Sequence, residues 1–530
     1  MEHAPNACFT QKTLGVMLTT LVLLIASVSL FFLKVVPVKM LPFDNKNEFQ
    51  VVIDMPETAT LEETAAVTKE IAAFVSTQDE VLNCQTYVGT SAPISFNGLM
   101  RHYDLRKGEN VADIQVNLTD KGDRSAQSHD IAKKMRKPIQ EIAKRWGANA
   151  KAVEVPPGPP VLSTIVAEIY GPDYQEQIRV ARQIKAIFDQ TKAWLTPMCS
   201  LKTIRQKFVL MWIKKAMLRG VAPAKITENL RAAVSGKNVG VLHKENTLSP
   251  IPIQLELNNA DKFSVEALKS LPVQNMQGQV VPLGDVTQVK EVIKEKSIWR
   301  KDQKRVVMVA ADLAGSLESP IYAMMDVNKK LEEIKLPSGY DLTVLNSSQP
   351  ETEDNYSMKW DGEWQITYEV FRDLGIAFAV ALIIIYLLIV GWFQSFMVPI
   401  VMLTAIPLSL IGIVVGHWVM GAYFSATSMI GFIALAGVMV RNSVLLIDFI
   451  DIRLKEGIPL TEAVIEAGAV RTLPIVLTAG TVVLGAIVIL FDPLFQGLAI
   501  SLMGGTITST VLTLVVVPLL YYKMLRNKIK

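Results

Sequence analysis

Six segments of the chain are long and apolar enough to cross a membrane, since a spanning helix needs about 20 predominantly apolar residues. The first continues as FFLKVVP at 31–37 instead of ending in the small-residue cleavage site of a signal peptide, so we predict an uncleaved span. The predicted spans are Leu14–Leu33, Leu374–Val390, Met397–Val419, Ser425–Ile450, Pro474–Phe491 and Leu498–Tyr521.

Between the first two spans, Asn45–Gln365 is polar, and its pattern predicts two split βαβ units. Thr60 followed by Glu63 predicts a capping box at one helix start. The first unit is predicted from Phe49–Asp54, Thr60–Val75, Val81–Val88, Val111–Leu118, Ser128–Trp146 and Ala152–Val155. The second is predicted from Thr164–Tyr170, Gln175–Gln190, Lys207–Ile213, Arg305–Ala311, Ile321–Ile334 and Asp341–Leu345, with Val221–Arg300 as an insertion.

The predicted fold class is therefore an α-helical membrane bundle of six spans with an α+β portion of two split βαβ (ferredoxin-like) subdomains and one inserted subdomain. The predicted divisions are 1–44 with the first span, 45–156 and 157–220 with 301–346 as the split units, 221–300 as the insertion, 366–523 as five spans and 524–530 as a tail.

Composition narrows the function classes. Charged residues make up 19% of the chain, below the roughly 25% of soluble domains. The net charge of +3 gives no indication of nucleic-acid binding, and five scattered histidines have no metal-ligand spacing. Three cysteines cannot form a disulfide framework. Without a phosphate-binding loop or a defensible catalytic constellation, we predict a protein that is not an enzyme and has no cofactor.

Basic residues predict the orientation. The segment Asp451–Leu473 carries Arg453, Lys455 and Arg471, and the C-terminus carries further lysines and an arginine. By the positive-inside tendency both face the cytoplasm, which places both termini inside and the α+β portion outside. The flanks of the first span oppose this orientation, but long domains translocate largely regardless of charge.

Arg441 is the most unusual residue of the spans. It lies ten residues before Asp451, or roughly 15 Å along a helix, and so close to mid-bilayer. An arginine there costs at least about 2.5–3.5 kcal/mol. Either it snorkels to an interface, or it forms an ionic site between helices that drives transport. A stripe of small residues lies at helical spacing nearby, and it suits either helix packing or function: Thr427, Gly431, Ala434 and Gly437.

Five stretches in this order resemble the resistance-nodulation-division (RND) efflux permeases, in their acriflavine-resistance branch. They are FQVVIDMPETATLEETA at 49–65, LPVQNMQGQVVPLGDV at 271–286, PLSLIGIVV at 407–415, VRNSVLLIDF at 440–449 and RTLPIVLT at 471–478. The resemblance covers the C-terminal half of a twelve-span permease. It implies that the split units are periplasmic porter subdomains and that the insertion is a docking subdomain.

The resemblance also implies partners and a location. The partners would be an N-terminal half-permease with an intramembrane acidic pair, a homotrimer of full units, a periplasmic adaptor, an outer-membrane channel and membrane lipid, without nucleic acid. The location would be the inner membrane, with the large domain in the periplasm.

A proton-relay network of Arg441, Asn442, Arg471 and Thr478 is implied by the same resemblance. Arg441 stands where the family usually has lysine, and an arginine effectively cannot lose its proton, so carboxylates on another helix would carry protons. Two of these residues have equally good structural interpretations. Arg471 suits a positive-inside anchor, and Thr478 suits a hydroxyl that satisfies backbone freed by Pro474.

A loop at 89–108 is the candidate substrate region, because flexible methionine and aromatic side chains suit promiscuous apolar binding. Its candidate residues are Phe96, Leu99, Met100 and Tyr103. The alternative is a loop that packs these side chains onto its own domain. Met55 alone is weak evidence for metal export, and no thioether cluster accompanies it.

The leading hypothesis is half of a proton-driven efflux permease for hydrophobic or amphiphilic compounds. The alternatives are a truncated, non-transporting remnant or scaffold, and an export accessory protein of the SecD/SecF type. The paired split units with their insertion argue against the last.

Overall fold

The long apolar segments of the 530-residue chain fold as helices, and the polar segment between the first two folds as sheets with shorter helices. This computed structural model describes residues 4–93, 98–99, 101, 103–155, 158–159, 161–190, 198–199, 206–245, 250–258, 262, 264–293, 298–313, 318–332, 334, 336 and 341–529. One compact unit comprises Met1–Leu201 with Ile298–Lys530, and a second comprises Lys202–Ser297.

Among the described residues, the N-terminal part of the first unit holds four helices and six strands. In order they are α1 (Ala4–Phe32), β1 (Glu48–Asp54), α2 (Leu61–Ser76), β2 (Val81–Thr90), a 3-10 turn (Tyr103–Leu105), β3 (Lys107–Leu118), α3 (Ser128–Arg145), β4 (Asn149–Val153), β5 (Ile165–Tyr170), α4 (Tyr174–Asp189) and β6 (Met198–Cys199).

The second unit comes next along the chain. Its elements are β7 (Gln206–Trp212), α5 (Lys214–Leu218), α6 (Pro223–Ser235), β8 (Lys237–Leu242), β9 (Ile251–Leu255), α7 (Val265–Lys269), β10 (Pro272–Gln274), β11 (Val280–Pro282), α8 (Leu283–Val286) and β12 (Thr287–Ile293). It has its own small core, in which Val221, Val273, Leu283 and Val286 are buried.

The chain then returns to the first unit. The elements there are β13 (Trp299–Lys301), β14 (Lys304–Ala311), α9 (Pro320–Leu331), β15 (Thr343–Leu345), β16 (Ser357–Asp361), α10 (Glu363–Phe393), α11 (Val398–Leu403), α12 (Ala405–Met420), α13 (Ala426–Lys455), α14 (Leu460–Ile487), a 3-10 turn (Val488–Phe491) and α15 (Gln496–Ile529). Six segments of the described chain are helical, long and apolar enough to span a membrane, with α11 and α12 forming one of them.

The first sheet has the strand order β2-β3-β1-β4 and is antiparallel where β1 meets β3 and β4. Alternate residues such as Val51, Ile53 and Ile114 are buried in one core with residues of α2 and α3, as the two-residue period of a strand requires. The predicted capping box is confirmed, since Thr60 Oγ1 accepts from the Glu63 amide at 3.2 Å and the Glu63 carboxylate accepts from the Thr60 amide at 3.0 Å. The fourth strand, predicted at Ala152–Val155, begins earlier, at Asn149.

The second sheet has the order β13-β14-β5-β16-β15, with β6 also paired to β14. One strand prediction was wrong here, and one strand was not predicted. The predicted second strand, Lys207–Ile213, pairs along its length with β12 inside the second unit, and Met198–Cys199 lies beside β14 instead. The strand next to β5 is Ser357–Asp361, which was not predicted, because its short alternating pattern lies within a polar stretch; its Met358 and Trp360 are fully buried.

The bundle also differs from prediction at one connection. The segment Asp451–Leu473 was predicted as a link between spans, but α13 continues to Lys455 and α14 begins at Leu460. Helix-forming residues of the link extend both helices, and Pro474 lies within α14. Helices α12 and α15 approach closely through glycine, since a Cβ on Gly412 would lie 2.1 Å from the carbonyl oxygen of Gly504.

Candidate functional site

Helix α13 is the central element of the candidate membrane site. It begins after Ser425, whose hydroxyl accepts from the Ser428 amide while the Ser428 hydroxyl accepts from the Ser425 amide at 3.0 Å. The helix then continues to Lys455, so Arg441 lies near its middle. Sequence analysis predicted this depth for Arg441.

One face of α13 is uncovered, although the helix packs against its neighbours on its other sides. The uncovered positions have helical spacing and include the two small residues nearest the arginine; they are Ile430, Ala434, Gly437, Arg441 and Leu445. A Cβ added to Gly437 would meet no atom within 4 Å. The small-residue stripe is therefore half packed and half open. Thr427 bonds the Leu494 carbonyl at 3.0 Å and Gly431 packs against α15, whereas Ala434 and Gly437 are uncovered.

The relay candidates do not converge within this chain. Arg441 is exposed and has no hydrogen-bond or ion-pair partner in the part of the chain that the structure describes. Asn442 is only 3% exposed, and its Oδ1 is buried without a hydrogen-bond partner among the described residues. Consecutive residues of a helix are turned by about 100°, so one points out of the bundle and the other into it.

Arg471 and Thr478 both lie on α14. Arg471 contacts an aromatic ring of α13, and Thr478 makes a hydrogen bond within α14. The Arg471 guanidinium lies 5.0 Å from the centre of the Phe449 ring, and that of Arg453 lies 5.2 Å from the same ring. The Thr478 hydroxyl donates to the Ile475 carbonyl at 2.9 Å, within its own helix. It therefore does not bond the carbonyl of residue 470, which Pro474 leaves without its helical donor.

Sequence reasoning missed a buried histidine at the other end of α13. His417 is fully buried, with Nδ1 at 2.8 Å from the Ile413 carbonyl oxygen and Nε2 at 2.8 Å from the Ser428 hydroxyl. A carbonyl can only accept, so Nδ1 carries the proton and Nε2 accepts from Ser428. The bond to Ile413 orients the ring within α12, and the bond to Ser428 joins α12 to the start of α13. A lone histidine in an apolar segment gave no sequence signal for it.

The structure describes two of the four residues of the candidate substrate loop. Phe96 and Met100 lie outside the described residues. Leu99 is exposed, whereas Tyr103 is 4% exposed and packs on Val52 and Val153 of the first sheet. Tyr103 thus follows the alternative interpretation, in which the loop packs onto its own domain.

Charged residues surround Tyr103. Arg101 forms an ion pair with Asp312 at 2.7 Å, and Asp312 also accepts from the Ser163 hydroxyl at 2.7 Å. Burial alone would raise the pKa of Asp312, but Arg101 and these hydrogen bonds hold it well below its usual range. The loop therefore connects the first sheet to the second through a partly buried ion pair.

A second ion-pair group lies on the face of the first sheet under the same loop. Arg106 binds Asp54 at 2.6 Å and the fully buried Asp113 at 2.5 Å. Lys151 on β4 is buried, and its Nζ has no hydrogen-bond partner among the described residues. Burial lowers the pKa of Lys151 to about 8. Within the described residues, no group of three or more His, Cys, Asp or Glu side chains could hold a metal ion.

Comparison of the sequence and fold with known proteins relates this chain to a family of transporters. The sequence model of the AcrB/AcrD/AcrF family matches residues 6–525. The swarming motility protein SwrC of Bacillus subtilis (strain 168) is 29% identical over 311 residues, which are 57% of this chain and 27% of SwrC. The cobalt-zinc-cadmium resistance protein CzcA of Cupriavidus metallidurans is 25% identical over 380 residues, which are 68% of this chain and 33% of CzcA.

The fold is similar to that of solved structures. A crystal structure of a heavy metal efflux pump, in crystal form I, superposes with a TM-score of 0.75 at 20% identity and covers 97% of this chain and 51% of that one. The chain thus spans about a third of the length of curated relatives such as CzcA and about half of this solved chain. Because the family model matches residues 6–525 of this chain, the chain belongs to the AcrB/AcrD/AcrF family of RND efflux permeases.

Proposed function

We propose that this chain is the C-terminal half of a proton-driven efflux permease and that it acts with an N-terminal half carrying an intramembrane acidic pair. The observation that carries the proposal is the uncovered face of α13, where Ala434 and Gly437 leave room beside Arg441, which has no partner among the residues that the structure describes. Small residues let another helix approach closely, and a mid-membrane guanidinium needs an anionic partner.

The sequence of the spans offers no carboxylate at the depth of Arg441. The predicted second, third, fifth and sixth spans contain no Asp or Glu between their ends, and Asp448 lies two turns from Arg441 toward the end of α13. Because an arginine keeps its proton, Arg441 would act as a fixed counter-charge while facing carboxylates on the other half load and release protons. Asn442, Arg471 and Thr478 would complete this network when the second half is present.

In the assembled pump, the two split units would be porter subdomains. The insertion at 221–300, most of which lies in the compact unit Lys202–Ser297, would be the docking subdomain. Both termini would face the cytoplasm and the α+β region the periplasm, with the bundle in the inner membrane. Full units would form a trimer that works with a periplasmic adaptor and an outer-membrane channel. The family membership and the likeness to a solved efflux pump support these assignments.

Two substrate classes are compatible with this proposal. The exposed Leu99 on the candidate loop favours hydrophobic or amphiphilic compounds. Relatives with names such as cobalt-zinc-cadmium resistance protein favour divalent metal cations.

The competing function is a non-transporting remnant or scaffold, which would keep the fold without the acidic pair. An export accessory protein of the SecD/SecF type is a weaker alternative, because the family model covers residues 6–525.

The test uses membrane vesicles that carry this chain alone or together with the N-terminal half encoded nearest to it. With both halves, ethidium or Co²⁺ added to the vesicles should drive proton flux, and the better of the two probes identifies the substrate class. With this chain alone neither probe should do so. Flux from the chain alone would refute the half-permease proposal, and no flux from the pair would favour the scaffold.

A further inference from the structure

The short segment that follows α1, residues 37–40, is bonded to the bundle through its backbone. We call this segment the strap. The Phe424 amide donates to the Pro37 carbonyl at 2.9 Å, and the Lys39 amide donates to the Phe424 carbonyl at 3.1 Å. The Ala426 amide donates to the Met40 carbonyl at 2.9 Å. The strap is therefore fixed to the connection between α12 and α13, at the start of the helix that carries Arg441.

On its other side the strap is bonded to the start of α9. The Ser319 hydroxyl donates to the Val38 carbonyl at 2.5 Å, and Lys39 Nζ lies 3.5 Å from Glu318 with both side chains almost fully buried. Ser319 occupies the N-cap position of α9 but makes no capping bond with its side chain. A serine at this position ordinarily bonds its own helix, so the chain uses this hydroxyl for the strap instead.

Glu318 also binds the first split unit. Lys133 of α3 lies 2.7 Å from the Glu318 carboxylate, and His129 Nε2 lies 2.9 Å from it. His129 Nδ1 lies 2.9 Å from Glu154, which follows β4. The Phe43 ring, just beyond the strap, stacks on the His129 ring at a centroid distance of 4.3 Å. One carboxylate thus contacts the strap and α3 while belonging to the start of α9.

We call the acidic and basic side chains around Glu318 the junction. Within it, side chains of opposite charge are in direct contact. Since each ring nitrogen of His129 faces a carboxylate, both must donate, which requires the charged imidazolium. Burial opposes that charge, but the hydrogen bonds to Glu154 and Glu318 raise the pKa of His129 above its usual value. Burial would raise the pKa of Glu318, yet His129 and Lys39 hold it at about 2. The charged and titratable groups facing the junction are Lys39, Lys133, Arg136, Glu154, Glu318, Glu363 and Tyr423.

We propose that the strap is a mechanical link that carries movement at the start of α13 to both split units, with Glu318 as the residue that joins them. Bonded segments with discrete arrangements carry coupling between distant parts of a protein. The link rests on the proposed function for its purpose, because a pump must connect proton steps in the bundle to changes in the α+β region. Whether the strap, α3 and the start of α9 behave as one joined unit can be tested without measuring transport.

The experiment is hydrogen exchange of the full chain in lipid nanodiscs, read by mass spectrometry on peptides that cover 36–43, 128–136 and 318–324. The parent, Glu318→Gln and Asp326→Asn are compared at pH 6 and pH 9, with rates corrected for intrinsic exchange. Asp326 is an exposed carboxylate on the same helix and is the matched control. Glu318→Gln should speed exchange at least tenfold in all three segments, and Asp326→Asn should leave all three unchanged.

Comparing exchange rates at pH 6 and pH 9 tests whether the three segments respond together to the charge on His129. Stabilisation from His129 is present at low pH and is lost as pH rises through its raised pKa. The three segments of the parent should therefore loosen together at pH 9, and His129→Gln should remove that pH dependence. A response confined to 318–324, or an equal response to Asp326→Asn, would overturn the link.

A further variant covers the case in which Glu318→Gln unfolds the chain. Ser319→Ala removes only the bond to the strap, so 36–43 should exchange faster while 128–136 stays protected; unchanged exchange in 36–43 would overturn the link. Joint responses in this chain, together with no proton flux from vesicles that carry both halves, would keep the link and refute the proposed function.

Discussion

Arg441 and Asn442 are neighbours on α13, yet Arg441 is exposed on the uncovered face and Asn442 is buried inside the bundle. The helix therefore directs the Arg441 charge away from its own bundle and the Asn442 amide into it. This division explains why the relay candidates do not meet within the chain. The same helix, through its first turn, is bonded to the strap that leads to the α+β region.

Replacing Arg441 by Met should abolish export by the assembled pump while insertion and assembly continue. Methionine keeps much of the apolar stem but removes the positive charge that holds facing carboxylates ionised, so these would bind protons too tightly to release them. Arg441→Lys should retain substantial export because it restores the charge. The measurement is substrate efflux per inserted permease with both halves present. Export by Arg441→Met equal to that of the parent would show that Arg441 is only a tolerated polar residue.

Gly437→Leu should prevent the N-terminal half from assembling with this chain. In this chain the position is open, so a leucine should leave folding and membrane abundance unchanged. In the assembled pump the side chain would occupy the space that the approaching helix needs. Recovery of the N-terminal half by affinity purification of this chain should fall at least tenfold. Gly391→Leu, at another open position on α10, is the control and should not change recovery. Normal recovery with Gly437→Leu would place the partner elsewhere.

A cysteine at Asp120 tests the orientation. This residue follows β3 in the α+β region and is exposed, so it should react with a membrane-impermeant maleimide added to intact spheroplasts. A cysteine at Glu456, between α13 and α14, should react only after the membrane is opened. Labelling of the Asp120 position solely from the cytoplasmic side would reverse the proposed topology.

Lys151→Met should stabilise the chain at pH 7. Burial lowers the pKa of Lys151 from 10.5 to about 8, so the unfolded chain holds this proton more tightly than the folded chain. The resulting cost is fully present below about pH 8 and disappears as pH rises toward 10.5. Methionine removes the cost and should raise the free energy of unfolding by about 1–3 kcal/mol.

Thermal unfolding of the detergent-solubilised chain measures this effect. The midpoint for Lys151→Met should exceed that of the parent at pH 7, and the difference should shrink at pH 9.5. The same substitution at Lys107, an exposed position on β3, should change little at either pH. A lower midpoint for Lys151→Met at pH 7 would show that the ammonium has a stabilising partner.

The sequence by itself determined the local elements of this protein. Apolar segments long enough for a bilayer predicted the spans, and the Thr60–Glu63 spacing predicted a capping box that the structure has. It also predicted Arg441 near the middle of a spanning helix, since depth along a helix depends only on residue count. These features depend on neighbouring residues in the chain, which is why local patterns suffice.

Only the tertiary structure decided which segments pair and which faces remain open. The strand Gln206–Trp212 has an ordinary strand pattern, but its partner is chosen by distant residues, and that partner is β12 and not β14. Nothing in the pattern around Arg441 shows that Gly431 is packed while Gly437 is open, because both are small residues on an apolar helix. The junction at Glu318 unites residues from three separated parts of the chain. Such contacts follow from three-dimensional packing, which no local periodicity encodes.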